Sequence, residues 1–215
     1  MADLVALATA VETGDRDTAA AITSQALAED YDPQVILKTM TDMMDVIGGR
    51  FSRQEIYVPE MLIAARAMKA AMAVLEPILI GQGHRPEFRA VIGTIRGDLH
   101  DIGKNLVAMM WKGANIEVHD LGTNVSPEKF LNAAREHGAQ LVGISALLTT
   151  TMGGMREVIQ LFRAEGMTSK IVVGGAPVTP EWAAEIGADG YAADAASAVV
   201  MAKRVLGVLG AMPNA

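Results

Sequence analysis

From Ala90 onward the chain repeats one pattern five times: a short run of β-branched and aliphatic residues, then a polar or glycine-containing break, then a segment of helical length. The runs predict strands over 90–95, 116–121, 140–145, 170–173 and 189–192. Helices are expected over 103–113, 126–137, 152–165, 180–186 and 195–209. Strands separated by helix-length crossovers cannot pair as hairpins, so they assemble into a parallel sheet covered on both faces. In the common doubly wound order 2-1-3-4-5, a crevice opens where the chain leaves strands 1 and 3 in opposite directions. The loops after those two strands carry His100 and Ser145.

The preceding region has a different period. Leu4, Leu7, Ala8 and Val11, then Ile36, Met40, Met43, Met44 and Ile47, recur at helical spacing. Asp32-Pro33 is a helix start, with a carboxylate to cap free amides and a proline suited to the first turn, while Gly48-Gly49 weakens the far end. Val58-Pro59 opens another helix that carries Met61, Ala64, Ala65, Met68 and Met72 towards Pro77. Residues 81–86, Gly-Gln-Gly-His-Arg-Pro, read as a linker. The expectation is an α/β chain of two domains: a helical bundle over 1–85 and a doubly wound five-stranded parallel sheet over 86–215.

Composition narrows the function. A net charge of −7 argues against a nucleic-acid binder, because no concentration of Lys and Arg is present to meet phosphates. The absence of cysteine removes disulfides, thiolate metal sites and a cysteine nucleophile. No apolar stretch is long enough to span a bilayer, and Met1-Ala2-Asp3-Leu4 lacks a basic leader, so a cytoplasmic location with no membrane partner is expected.

Chemistry concentrates in Gly97-Asp98-Leu99-His100-Asp101-Ile102-Gly103-Lys104, between the first strand and its helix. An imidazole two residues after an aspartate can offer one ring nitrogen to a metal while the carboxylate holds the other. That is half a metal site without protein ligands to complete it. A cofactor that already carries its metal would supply the rest.

Asp98-x-His100-x-x-Gly103 is followed after 41 residues by Ser145-Ala146-Leu147, and after 26 more by Gly174-Gly175. With these three elements the chain resembles the cobalamin-binding modules of the methionine synthase type, a Rossmann or flavodoxin-like fold. The resemblance extends over the first 80 residues, which are similar to that family's four-helix cap and include Phe51 and Ile56-Tyr57-Val58-Pro59-Glu60-Met61-Leu62. Cap and binding domain without a catalytic domain look most like the small corrinoid proteins of three-component methyltransferases.

The resemblance implies a cobalamin bound base-off and His-on, cycling between cob(I)alamin and methylcobalamin. His100 would be the cobalt ligand, with Asp98 accepting from its other nitrogen and Thr151 extending the relay where methionine synthase has a serine. Leu99, Asp101, Ile102, Gly103 and Leu147 would line the cofactor around that histidine. Ser145 and Thr149 would hydrogen-bond around the displaced nucleotide tail, Gly174-Gly175 would let backbone approach it, and Tyr191 and Ala195 would lie near the same slot. Phe51 and Val58 would shield the upper face of the corrin, under a cap that must also move to admit partner enzymes.

Each residue also has a simpler role. His100 can be a structural histidine, Asp98 a helix cap, with Asp101 the better capping candidate, and Ser145 and Thr149 can terminate a strand and cap a helix. His84, His119 and His137 have no comparable partners and read as linker or surface residues. Methionines 40, 43, 44, 61, 68, 72, 109 and 110 read as core filler. Gly153-Gly154 reads as a turn, and Lys104 as a helix-surface residue or a contact to the cofactor's polar rim.

The expected function is a methyl carrier. A substrate-specific methyltransferase loads Co(I), a second one unloads methyl-Co(III) to tetrahydrofolate or a thiol, and a reductive-activation protein restores the carrier. The chemistry belongs to the cofactor and the tuning to the protein. Two alternatives are a cobalamin-dependent light or ligand sensor, for which no basic recognition helix is seen, and the cobalamin subunit of a mutase. The methyl donor, whether methanol, a methylamine, a betaine or an aryl methyl ether, is chosen by the partner and is not written in this chain.

Overall fold

The computed structural model describes residues 1–82 and 86–208. It divides into two compact units, one of Met1–Glu87 with Gly113–Asn115, the other of Phe88–Lys112 with Ile116–Ala215. Gly83, His84 and Arg85 of the expected linker, and residue 209 at the expected end of the last helix, lie outside the described residues.

The first unit contains α1 (Leu4–Thr13), α2 (Arg16–Ala28), α3 (Pro33–Ser52) and α4 (Val58–Gly81). Three of the four start at an aspartate whose carboxylate accepts backbone N–H groups of the first turn: Asp3, Asp15 and Asp32. At α4 the roles reverse, and the Glu60 side chain accepts from the Tyr57 N–H. Two helix ends differ from expectation. α3 runs through Gly48-Gly49 to Ser52 and closes one turn later, where Gln54 takes a left-handed φ of 61° and Glu55 N–H donates to Arg50 O. α4 continues four residues past Pro77, with Leu75 and Leu79 buried on either side of the proline, so packing outweighs the lost hydrogen bond. Met40, Met44, Met61 and Met68 are buried, whereas Met43 and Met72 are only partly so.

The second unit alternates β1 (Phe88–Thr94), α5 (Ile102–Gly113), β2 (Ile116–Asp120), α6 (Pro127–His137), β3 (Leu141–Ser145), α7 (Gly153–Ala164), β4 (Lys170–Gly174), α8 (Pro180–Glu185), β5 (Gly190–Ala192) and α9 (Ala195–Val205). The five strands are parallel in the order β2-β1-β3-β4-β5. α9 ends short of the expected 209 because Gly207 turns left-handed, and Val208 N–H donates back to Lys203 O. Gly153-Gly154 is the opening of α7 rather than a turn. A side chain at Gly154 would lie 2.7 Å from Ile95 Cγ1, so the glycine lets the helix approach β1.

Strand alternation divides the sheet into two faces. Val91, Val142, Ile144, Ile171 and Val173 pack with Phe130 of α6 and Val158, Ile159 and Phe162 of α7. On the other face Gly143 makes room for Trp111 of α5, whose indole N–H donates to Ala198 O of α9 at 3.0 Å. No helix among the described residues is long and apolar enough to cross a membrane.

Candidate corrinoid site

β1 delivers the chain into a tight turn in which Gly97 takes a φ of 85° and Asp98 N–H donates to Ile95 O. The Asp98 carboxylate is fully buried and accepts five hydrogen bonds. One oxygen takes His100 N–H at 3.0 Å and His100 Nδ1 at 2.8 Å. The other takes Leu147 N–H at 2.7 Å, Leu148 N–H at 3.2 Å and Thr151 Oγ1 at 3.2 Å. Burial alone would raise its pKa, but the backbone donors of His100, Leu147 and Leu148 and the imidazole together hold the carboxyl well below the usual range.

An ionised aspartate is acceptor-only, so Nδ1 of His100 carries the hydrogen and Nε2 is the ring nitrogen left to meet a ligand. The His100 side chain is 54% exposed. Thr94, itself buried, donates its hydroxyl to His100 O at 2.8 Å and anchors the backbone of that residue. Thr151 has one hydroxyl hydrogen and two acceptors within reach, Asp98 and Leu148 O at 2.9 Å, so its contact with the carboxylate is shared.

The surroundings fit a flat apolar macrocycle. Leu99, Leu147 and Leu148 in the two loops that meet at Asp98, and Ile102 at the start of α5, all expose large apolar side chains. A Cβ at Gly103 would meet no protein atom within 4 Å, so protein packing does not explain that glycine. Among the described residues no group of three or more His, Asp and Glu is placed to hold a metal. Asp101 engages the Asn105 side chain at 3.0 Å.

Lys104 departs from expectation. It is 2% exposed, and its ammonium lies 2.5 Å from Asp120 and 2.6 Å from Asn105 Oδ1, which joins the start of α5 to the end of β2. Neither a helix-surface position nor a contact to a cofactor rim matches that geometry. Lys104→Met is expected to cost about 1–2 kcal/mol, measured as a lower urea midpoint, because the half-exposed Asp120 recovers part of its loss from water.

The remaining predicted residues divide between the faces of the sheet. Ser145 ends β3 in line with Gly143, on the α5–α9 side, and the buried Ala195 begins α9. Tyr191 instead packs against the core cluster of the opposite face, so its side chain does not share a slot with Ser145. Thr149 is exposed in a groove of about 440 Å³ with Met152, Gly153, Arg156, Glu157, Gln160 and Trp182, and Ser145 does not line it. Gly174 and Gly175 admit protein backbone: a Cβ on Gly174 would lie 2.6 Å from Ala192 O, and one on Gly175 1.8 Å from Ala146 O. Phe51, half-buried, and Val58, exposed, belong to the first unit, in the last turn of α3 and at the start of α4. His119 and His137 stack with ring centroids 3.6 Å apart, and although His119 Nε2 lies 2.9 Å from a Glu117 oxygen it makes no hydrogen bond, so neither has a partner comparable to Asp98.

Family models described as B12 binding domains match residues 88–200 and 4–76. The chain belongs to the B12-binding-domain family. It is 39% identical over 203 residues to a dimethylamine corrinoid protein of Methanosarcina barkeri, covering 93% of this chain and 95% of that one. A corrinoid protein of Desulfitobacterium hafniense is 38% identical over 204 residues, covering 92% and 94%. Among solved structures, a cobalamin-binding protein from Desulfitobacterium hafniense aligns with a TM-score of 0.81 at 31% identity, over 95% of this chain and 99% of that one. The methanol:cobalamin methyltransferase complex MtaBC of Methanosarcina barkeri aligns at 0.84 and 25% identity, over 95% and 79%.

Within this B12-binding fold, sequence reasoning missed three contributors to the histidine loop. Leu148 supplies an amide to Asp98, Thr94 anchors the His100 carbonyl, and Asn124 reaches Gly97 N–H at 2.8 Å. Only Asn124 carried a local signal, an asparagine two residues after Gly122 at the end of a strand, where a left-handed turn is common.

Proposed function

We propose that this chain is a methyl carrier that binds a corrinoid base-off, with His100 Nε2 as the protein's axial ligand. When bound, the corrinoid supplies the cobalt on which a methyl group travels between two methyltransferases. The observation that carries the reading is the five-bonded, buried Asp98, which aims an exposed imidazole out of an apolar rim. Such a carboxylate fixes the tautomer and the orientation of the ring, so that Nε2 is the nitrogen presented to a ligand. Thr151 adds a shared hydrogen bond to that pair.

Leu99, Asp101, Ile102, Gly103 and Leu147 surround the cofactor, and Ser145 with Ala195 holds its nucleotide tail on the α5–α9 side. Residues 1–85 form a cap in which Phe51 and Val58 exclude water and oxidants. One partner is a substrate:corrinoid methyltransferase. The second transfers to tetrahydrofolate or a thiol, a reductive-activation protein completes the cycle, and the system works in the cytoplasm. The relatives named for dimethylamine make a methylamine the first donor to test, with methanol next.

The test is reconstitution of the purified chain with hydroxocobalamin, reduction, and incubation with corrinoid methyltransferases of the methylamine and methanol classes and a panel of methylated donors. Stoichiometric retention of cobalamin through gel filtration and its methylation by one donor class are expected. Failure to retain cobalamin overturns the reading.

A further inference from the structure

Past Thr94 the chains leaving β1 and β2 continue side by side. Leu121 N–H donates to Ile92 O, Thr94 N–H to Gly122 O and Val125 N–H to Thr94 O, and Ile95 bridges to Val125. The β2 side inserts extra residues into this pairing, two of them left-handed: Gly122 at φ 81° and Asn124 at φ 54°. The bulge pushes Asn124 into the histidine loop. Its side-chain Oδ1 accepts Gly97 N–H at 2.8 Å, and its own N–H donates to Asp98 O at 3.0 Å. These two bonds grip the chain on either side of the Asp98 Cα.

The Asp98 side chain can orient His100 only if its own backbone is held still. Within the loop that backbone has a single bond, from Asp98 N–H to Ile95 O; the grip on Gly97 N–H and Asp98 O comes from the neighbouring loop. Asparagine suits the position on two counts. It tolerates the left-handed region better than other residues with a side chain, and its carbonyl is on a short stem. Glycine would keep the backbone conformation without the acceptor, and aspartate would keep both.

We propose that Asn124 is a positioning residue for the axial imidazole: it sets the Gly97–Asp98 backbone, through Asp98 the ring of His100, and so the occupancy of the lower cobalt position. The inference rests on His100 being the axial ligand.

The experiment uses the full chain labelled with heavy-nitrogen histidine and loaded with cob(II)alamin, as parent, Asn124→Gly, Asn124→Asp and His100→Ala. Electron paramagnetic resonance reads the imidazole nitrogen coupling to cobalt, and the label separates it from the cofactor's own base. Asn124→Gly is expected to lose most of that coupling, to bind cobalamin about tenfold more weakly, and to melt within a few degrees of the parent. Asn124→Asp is expected to retain coupling and affinity. In the apoprotein, amide exchange at Gly97 should accelerate about tenfold in Asn124→Gly but not in Asn124→Asp, with Val172 in β4 unchanged. Undiminished coupling in Asn124→Gly, or equal loss in both variants, overturns the inference. If His100→Ala keeps the coupling, the ligand assignment itself falls; if it loses the coupling while Asn124→Gly keeps it, only the role of Asn124 falls.

Discussion

Asp98→Ala is expected to destabilise the apoprotein by about 3 kcal/mol, whereas His100→Ala should shift its stability by less than about 1 kcal/mol. The asymmetry follows from burial. Asp98 is fully enclosed and satisfies backbone N–H groups of His100, Leu147 and Leu148, so its removal leaves several donors without an acceptor, and water entering the space repairs only part of the loss. His100 is half exposed, and the donors that remain still satisfy Asp98. Both variants are expected to lose the axial imidazole signal of the loaded protein, so urea unfolding of the apoprotein separates them where spectroscopy does not. Acid provides a second check. The native carboxyl titrates below its ordinary value, so its contribution is complete above that value and is lost as pH falls towards the native pKa. The gap between parent and Asp98→Ala should therefore shrink as pH falls below about 4. A gap that failed to shrink below about pH 4 would contradict the hydrogen-bond account.

Which parts of this molecule could be read from its sequence follows from the range of the interactions involved. The five strands and their parallel order were legible because β-branched runs separated by helix-length segments have few other solutions, and runs such as Lys170–Gly174 sit where the pattern places them. Asp98 beside His100 was legible because the pair is local, two residues apart on one turn. Features that depend on a partner far along the chain were not. Lys104 follows a helical period that suggests a surface position, and only the register of β2 against β1 brings Asp120 to its ammonium. Tyr191 depends on register in the same way. Its partner on β4 is Val173, which faces the α6–α8 core, while Gly174, one residue on, stands level with Ser145. A single step along a strand changes the face. Helix ends failed for a related reason: Gly48-Gly49 and Pro77 are breakers by propensity, but packing of the helices that contain them outweighs a cost of a few kcal/mol.

Gly175→Ala should be the most damaging conservative substitution in the second unit, costing about 4 kcal/mol or more, a large part of the stability of a domain this size. Two penalties combine. Its φ of 123° lies where residues with a side chain rarely go, and a Cβ would stand 1.8 Å from Ala146 O, a backbone atom that cannot turn aside as a side chain would. The second penalty also reaches the site, because Ala146 N–H donates to Gly174 O and the next two residues supply the amides that hold Asp98. A backbone shift large enough to admit the methyl group must move those amides. Gly175→Ala is thus expected to lower the melting temperature sharply and, in whatever fraction folds, to weaken cobalamin binding. Gly153→Ala is the matched control. A Cβ there meets nothing within 4 Å, φ is not left-handed, and the position opens α7, so an unchanged or slightly higher melting temperature is expected. If both variants melted like the parent, the close approach of the two loops would not be part of what holds the carboxylate in place.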